Sequence, residues 1–171
     1  MEKNNFNLLL LKTAFSCMAC DGHIDDREIK LIQTLSEEKK LFGNLDSKLE
    51  MQSLIADINE HGHAFLRTYL LDLEQTSLSE EEELKLITVS IDVIKADDEL
   101  EYSEIKFFKM IRSKLSIKDE KILDSFPEYE EYLEEDVISD TYLTTLQTDF
   151  FENFKTPQFE LLPNIEDDLI E

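Results

Sequence analysis

A short acidic motif occurs twice in the sequence, each time between two segments whose apolar residues recur at helical spacing. The first copy lies in the stretch ACDGHIDDRE at residues 19–28, and a shift of 76 residues places Asp21 on Asp97 and Glu28 on Glu104. The apolar flanks match in kind at the same shift. The sequence therefore predicts an internal duplication of a helix-turn-helix hairpin. Two such hairpins favour a closed, pseudo-twofold domain over an open solenoid, because each can bury its apolar stripe against the other.

The composition favours helices throughout the chain. Only three Gly and three Pro occur among the 171 residues, and 33% of the residues are charged, which suits helices better than sheets. We therefore expect a compact all-α fold. The formal net charge of −23 argues against nucleic acid as a partner, because phosphate binding requires a basic surface. Cations and basic protein surfaces are the expected attractions.

Caps and breaks predict where the individual helices begin and end. The first helix is expected over residues 7–20, with Leu8, Leu11, Phe15 and Met18 on one apolar face, and ends at the Asp21-Gly22 break.

Later helices follow from the same signals. Asp25 with Glu28 has the pattern of a capping box and predicts the start of the second helix. Two further helices are predicted over residues 45–58 and 63–73, on either side of the His61-Gly62 break. Ser79 is a suitable cap for the next helix, and the run of acids at residues 80–83 is interpreted as a solvated first turn.

Residues 127–171 are predicted to form an acidic and aromatic extension of a helical domain at residues 1–126. The extension holds fourteen acids and one base, for a net charge of −13, which leaves −10 for the rest of the chain. Such a segment either docks on its own domain or folds on a partner. A helix is favoured near residues 141–154, followed by a looser end.

Membrane insertion is not expected, since no apolar run approaches the roughly 20 residues of a bilayer span. The first twenty residues are a poor match to a secretory signal, and we expect a cytoplasmic protein. Cys17 and Cys20 form a lone CxxC, a spacing that suits a redox pair or half of a zinc site. Without a second pair, and with apolar neighbours, they are predicted to be two buried thiols in a reducing compartment.

The first acidic motif also matches the second half of an EF-hand calcium loop. With Asp21 at the fifth position, Gly22 at the sixth and Glu28 at the twelfth, Cys17 and Ala19 take the first and third positions. Neither residue supplies a carboxylate. An ordinary EF-hand is therefore not expected.

The two motifs, in the contexts FSCMACDGHIDDREIKLI and DVIKADDELEYSEIKFF, resemble the TerB-like family of tellurite-resistance proteins over residues 7–122. The resemblance implies a compact all-helical domain of pseudo-twofold symmetry, with the acids of both hairpins gathered on one face that is proposed to bind a metal ion. It also implies an interaction or sensing module in tellurite resistance and stress response, beside protein and membrane-associated partners.

Carried onto this chain, the resemblance implies a metal site built from acids of both turns. Ca²⁺ or Mg²⁺ fits such a site better than Zn²⁺, because both ions prefer oxygen ligands. In the second copy Asp98 replaces Gly22, which adds a negative charge and loosens the specified turn geometry. The predicted ligands are Asp21, Glu28, Asp97 and Glu104, with Asp25, Asp98 and Glu101 as secondary candidates.

Each of these acids also has a purely structural interpretation. Glu28 can close the capping box with Asp25 and need bind no ligand at all. Glu104 lacks an equally good partner, because Glu101 is a poor cap, so its recurrence favours a functional role. An acid such as Asp21 meets the negative end of the helix dipole at a helix C-terminus, which favours a shared cation or partner over chance.

Other candidate sites are weaker. His61 and His63 are interpreted as parts of a polar turn. His23 is interpreted as a solvent-facing turn residue that could add a ligand or sense pH. No nucleophile and base pair or phosphate loop is recognisable, so we expect no catalytic activity. The rival interpretation is a protein-interaction scaffold that acts through the extension and has no metal site.

Overall fold

The chain folds into a bundle of short helices. The computed structural model describes residues 3–24, 26–96, 102–133, 148, 152 and 158–160. This part contains eight α-helices and no strand, which confirms the predicted all-α fold. None of its helices has the length and apolar character needed to cross a bilayer. The helices are α1 (Lys3–Ala19), α2 (Asp26–Glu37), α3 (Ser47–His61), α4 (His63–Gln75), α5 (Glu80–Ile94), α6 (Tyr102–Ser113), α7 (Asp119–Leu123) and α8 (Glu130–Leu133), with a 3-10 turn at Pro127–Tyr129.

Helix α1 lies at the centre of the bundle. It packs most extensively against α5 and also contacts α3, α4 and α6. Such a position requires a helix that is apolar on nearly every side, and from residue 10 to residue 20 only Lys12 is not buried. Leu8, predicted to lie on the apolar face, is instead 39% exposed, because Phe6, Leu10 and Leu11 form the buried surface at this end of α1.

Two polar side chains inside this core are hydrogen-bonded to each other. The Tyr69 hydroxyl on α4 donates to Oγ1 of Thr13 on α1 at 2.9 Å, and Thr13 in turn donates to the Leu9 carbonyl at 2.8 Å. Burial raises the pKa of Tyr69 well above its usual range. The phenol therefore stays neutral and acts as a fixed link between α1 and α4.

Helix ends match the caps expected from the sequence. Ser79 and Glu82 form a reciprocal capping box, in which the Glu82 N–H donates to Ser79 Oγ at 3.3 Å and the Ser79 N–H donates to Glu82 Oε2 at 2.9 Å. Gly62 separates α3 from α4 with a φ of 59° and donates its N–H to the Ile58 carbonyl at 2.7 Å. The predicted break at this glycine is therefore present.

One acid of the predicted solvated turn is buried. Glu83 is only 6% exposed, and its carboxylate accepts the N–H of Ser116 at 3.0 and 3.1 Å, the Ser116 hydroxyl at 2.9 Å and the Ile117 N–H at 2.6 Å. The interpretation of residues 80–83 as a fully solvated turn is thus wrong for Glu83. This carboxylate fixes the loop between α6 and α7 to the start of α5.

The first residues of the predicted extension belong to the hydrophobic core. Tyr129 and Leu133 are buried, and the Tyr129 ring lies 6.2 Å from that of Phe108 on α6. Lys95 stands over the same tyrosine ring at 4.6 Å and pairs with Glu128 at 2.6 Å. The boundary at residue 126 stays a prediction. Of the helix predicted near residues 141–154, only residues 148 and 152 are described, and both are helical. The rest of that range lies outside the described residues.

The predicted duplication agrees with the boundaries of two pairs of helices. A shift of 76 residues places α2 on α6 from end to end, and α5 lies within one residue of the range that the shift predicts from α1. The duplication of the two hairpins as packed units stays a prediction.

We expect Glu83→Ala to reduce the free energy of unfolding by about 2–3 kcal/mol, because it removes the acceptor of the buried Ile117 N–H and of the partly buried Ser116 N–H in the α6–α7 loop. Chemical denaturation measures the loss. Glu81→Ala is the matched control, since Glu81 lies in the same helical turn, is exposed and pairs only with Lys85 among the described ion pairs. Equal stability of the two variants would contradict the assigned role of Glu83.

Candidate functional site at the acidic turns

The first acidic turn follows directly from the end of α1. Gly22 adopts a φ of 87° and donates its N–H to the Ala19 carbonyl at 3.1 Å. Asp21 Oδ1 accepts the His23 N–H at 2.7 Å, and both side chains are exposed. Asp21 therefore shapes the turn as an Asx residue, whatever else it binds. Cys17, the first position of the EF-hand alignment, is a buried residue of α1.

Glu28 and Glu104 occupy matching positions in the first turns of α2 and α6. Their side chains are 6% and 5% exposed, respectively. Charged side chains are rarely buried to this extent, particularly in the first turn of a helix, where water and the helix terminus usually solvate them. The two predicted ligands Glu28 and Glu104 therefore both point into the protein.

The pKa values of Cys17 and Cys20 show which groups the two glutamates influence. Both thiols are free and buried, as predicted. Burial raises the pKa of Cys17 to about 12, a hydrogen bond with the Ser90 side chain opposes this shift, and the negative charges of Glu104 and Glu28 raise the pKa further. Both carboxylates are thus close enough to act on the same thiol.

Cys20 is influenced by the same acids. Burial raises the pKa of the Cys20 thiol well above its ordinary value, and the charges of Cys17, Asp21, Glu104 and Glu28 act in the same direction. Acids on α2 and α6 therefore act electrostatically on the same end of α1.

The structure brings together three of the seven predicted site residues. The charges of Glu28 and Glu104 raise the pKa of both thiols, and the charge of Asp21 raises that of Cys20. The other four predicted residues lie outside the described residues. Within the described ranges, no group of three or more His, Cys, Asp and Glu side chains is arranged to hold a metal ion. Because Ca²⁺ takes 6–8 oxygen ligands, the described acids can supply only part of its coordination. The undescribed candidates are Asp25, Asp97, Asp98 and Glu101.

The histidines at the α3–α4 junction form a polar turn, as interpreted from the sequence. His61 Nδ1 lies 3.1 Å from the Asp57 carbonyl oxygen and 2.8 Å from Asp57 Oδ1, and its side chain is largely exposed. The hydrogen bond to the Asp57 carbonyl raises the pKa of His61, with the Asp57 carboxylate and the Glu60 charge acting in the same direction. This pair stabilises the last turn of α3.

Sequence reasoning did not identify Ser90 as a neighbour of the site. Its side chain, on α5, forms a hydrogen bond with Cys17 and also donates to the Leu86 carbonyl at 2.8 Å. A serine in an apolar helix carries no motif, and its contact with α1 depends on how α1 and α5 are rotated against each other.

Comparisons of the chain with family models, with curated proteins and with solved structures gave no significant match. The resemblance to the TerB-like family therefore stays a prediction, and the site is interpreted from its own chemistry.

We expect both thiols to react slowly with an alkylating reagent in the native chain near pH 8. The rise of the Cys17 pKa from 9.0 to about 12 reduces its thiolate fraction roughly a thousandfold. Mass spectrometry of the time course in buffer and in guanidinium chloride measures the difference. Native alkylation at the unfolded rate would contradict the burial of this pair.

Proposed function

We propose that this chain is a non-enzymatic TerB-like module, of the tellurite-resistance or stress-response type, that binds a divalent cation, a protein partner or both through its paired acidic turns. The observation that supports the proposal best is the position of Glu28 and Glu104. They come from two different hairpins, both are buried, and both act on the same thiol pair at the end of α1.

A cation would relieve the electrostatic cost of this arrangement. Two carboxylates that share a poorly solvated region disfavour each other's ionised form, and burying either charge is expensive. Ca²⁺ and Mg²⁺ are suitable because both take carboxylate oxygens. Zn²⁺ is less suitable, because it prefers nitrogen and sulfur ligands and the proposed site consists of carboxylates.

The charge of the whole chain acts in the same direction. A formal net charge of −23 raises the local concentration of cations and of basic protein surfaces near the molecule. The buried glutamates would then provide the specific part of the interaction, and the exposed Asp21 would lie at its entrance.

We expect Ca²⁺ or Mg²⁺ to raise the thermal stability of the metal-stripped chain, and the double variant Glu28→Gln, Glu104→Gln to abolish this increment. An ion that binds only the folded state adds about 2.7 kcal/mol at a hundred times its dissociation constant. Glutamine has the size of glutamate and keeps a carbonyl oxygen as a hydrogen-bond acceptor, so the variant removes charge with little change of shape. Thermal melts with Ca²⁺, Mg²⁺, Mn²⁺ and Zn²⁺ provide the measurement.

The matched control for these melts is Glu37→Gln with Glu120→Gln. Both glutamates are exposed, and the pair changes the net charge by the same amount as the site variant. This control should keep the full metal increment. A flat response of the unmodified chain to all four ions, or an equal increment in both double variants, would refute the metal site.

The second candidate function is a protein-interaction scaffold that acts through the extension and has no metal site. It is favoured by the hydrogen bonds that Gln158 and Phe159 form with Asn59 on α3. Because Tyr129 and Leu133 belong to the core, a deletion that tests this function should begin at residue 134. On this hypothesis, neither the full-length nor the shortened chain is stabilised by metals, and the shortened chain stays folded but loses capture of a partner.

A further inference from the structure

The C-terminal end of α3 carries a short segment from the opposite end of the chain. Asn59 Nδ2 donates to the Phe159 carbonyl at 2.9 Å, and the Phe159 N–H donates to Asn59 Oδ1 at 2.8 Å. Gln158 Nε2 also donates to the Asn59 carbonyl at 3.3 Å. These three hydrogen bonds join residues about one hundred positions apart in the sequence.

Asn59 is suited to this contact because its side-chain amide has both a donor and an acceptor. The amide pairs with the carbonyl and the N–H of a single extended residue, much as a neighbouring strand would. Such pairing recognises the main chain of the segment. Selectivity for sequence must then come from the Phe159 ring, which is partly buried against the hydrophobic core.

The end of α3 also needs the donor that the segment supplies. The last four carbonyls of a helix lack intrahelical partners. In α3 the Ile58 carbonyl accepts the N–H of Gly62 and the Asp57 carbonyl lies next to His61 Nδ1. The Asn59 carbonyl accepts from Gln158 instead. The segment therefore supplies a donor to one of the carbonyls at this helix end.

We propose that the Asn59 end of α3 is a docking site for an extended peptide segment with an aromatic residue, and that residues 158–160 of the same chain are its resident occupant. The contact is small, and the flanking Gln158 and Glu160 are exposed. It is maintained because both parts belong to one chain, which gives a tethered segment an effective concentration on the order of 1 mM. A segment of the same chemistry supplied from outside competes for the site.

The test uses full-length chains and a labelled peptide with the sequence of residues 156–162, Thr-Pro-Gln-Phe-Glu-Leu-Leu. Phe159→Ala empties the site of its aromatic residue and is expected to bind the peptide about tenfold more tightly than the unmodified chain. This factor follows from an effective concentration on the order of 1 mM and an intrinsic Kd of about 0.1 mM. Adding Asn59→Ala to that variant should abolish the binding.

Two controls accompany this titration, which is measured by fluorescence anisotropy. Asn44→Ala, in place of Asn59→Ala, removes an exposed amide elsewhere on the surface and should leave peptide binding unchanged. A peptide with Ala at the aromatic position should not bind. Absence of binding to the Phe159→Ala chain, or equal binding in the presence and absence of Asn59, would overturn the proposal.

Nuclear magnetic resonance gives a second, direct readout. The side-chain amide signals of Asn59 should shift in the Phe159→Ala chain and return towards their original positions when the peptide is added. Unchanged signals would overturn the assignment. Concentration-dependent dimers of the unmodified chain that disappear in Asn59→Ala would place a second copy's segment on α3 and would also overturn occupancy within one chain.

The salt dependence of the titration has a defined sign. Glu60 on α3 and Glu160 in the segment are both exposed and negative, so screening weakens their repulsion. Peptide binding should therefore hold or strengthen as salt is added. A steep loss of affinity with salt would indicate docking by ion pairs and would contradict recognition by the neutral amide and the aromatic ring.

Discussion

The burial of α1 on nearly every side is the constraint on which the rest of the structure depends. Each fully buried leucine, phenylalanine or methionine contributes about 1.5–3 kcal/mol, and Leu10, Leu11, Phe15 and Met18 are all at most 1% exposed. One neighbouring helix cannot cover such a surface, so α3, α4, α5 and α6 all contact α1. Cys17 and Cys20, near the C-terminal end of α1, are consequently buried.

That central position explains why buried acids in this protein differ in kind. Glu83 faces a set of hydrogen-bond donors in the α6–α7 loop, which accounts fully for its burial. Glu28 and Glu104 lie at matching positions in the first turns of α2 and α6, and their charges raise the pKa of the same two thiols at the end of α1. This shared influence, more than the number of acids, makes the two glutamates candidates for a common site.

Local signals in the sequence predicted local structure well. The Ser79 cap, the Gly62 break and the helical fold depend on residues close to one another in the chain, and they are present. Leu8 and Glu83 were misjudged because helical periodicity does not reveal which neighbours cover each end of a helix.

The contacts of the candidate sites depend on residues that are distant in the sequence. The 76-residue spacing suggested that Glu28 and Glu104 act together, and the structure brings both towards the thiols. Their burial could not be predicted, because an acid in a first helical turn has the same sequence pattern whether it points outward or inward. Asn59 carries no motif, and its partner follows one hundred residues later.

The two candidate binding regions differ in their electrostatics for a physical reason. The acidic turns concentrate negative charge, so any partner there must be positive and its binding must weaken as salt screens the attraction. At the end of α3, the acids Asp57 and Glu60 neighbour Asn59 in the chain and Glu160 neighbours Phe159, while the hydrogen bonds between the segment and Asn59 use uncharged groups. A neutral amide and an aromatic ring are the groups that can still join two such surfaces, and these are the groups that Asn59 and Phe159 provide.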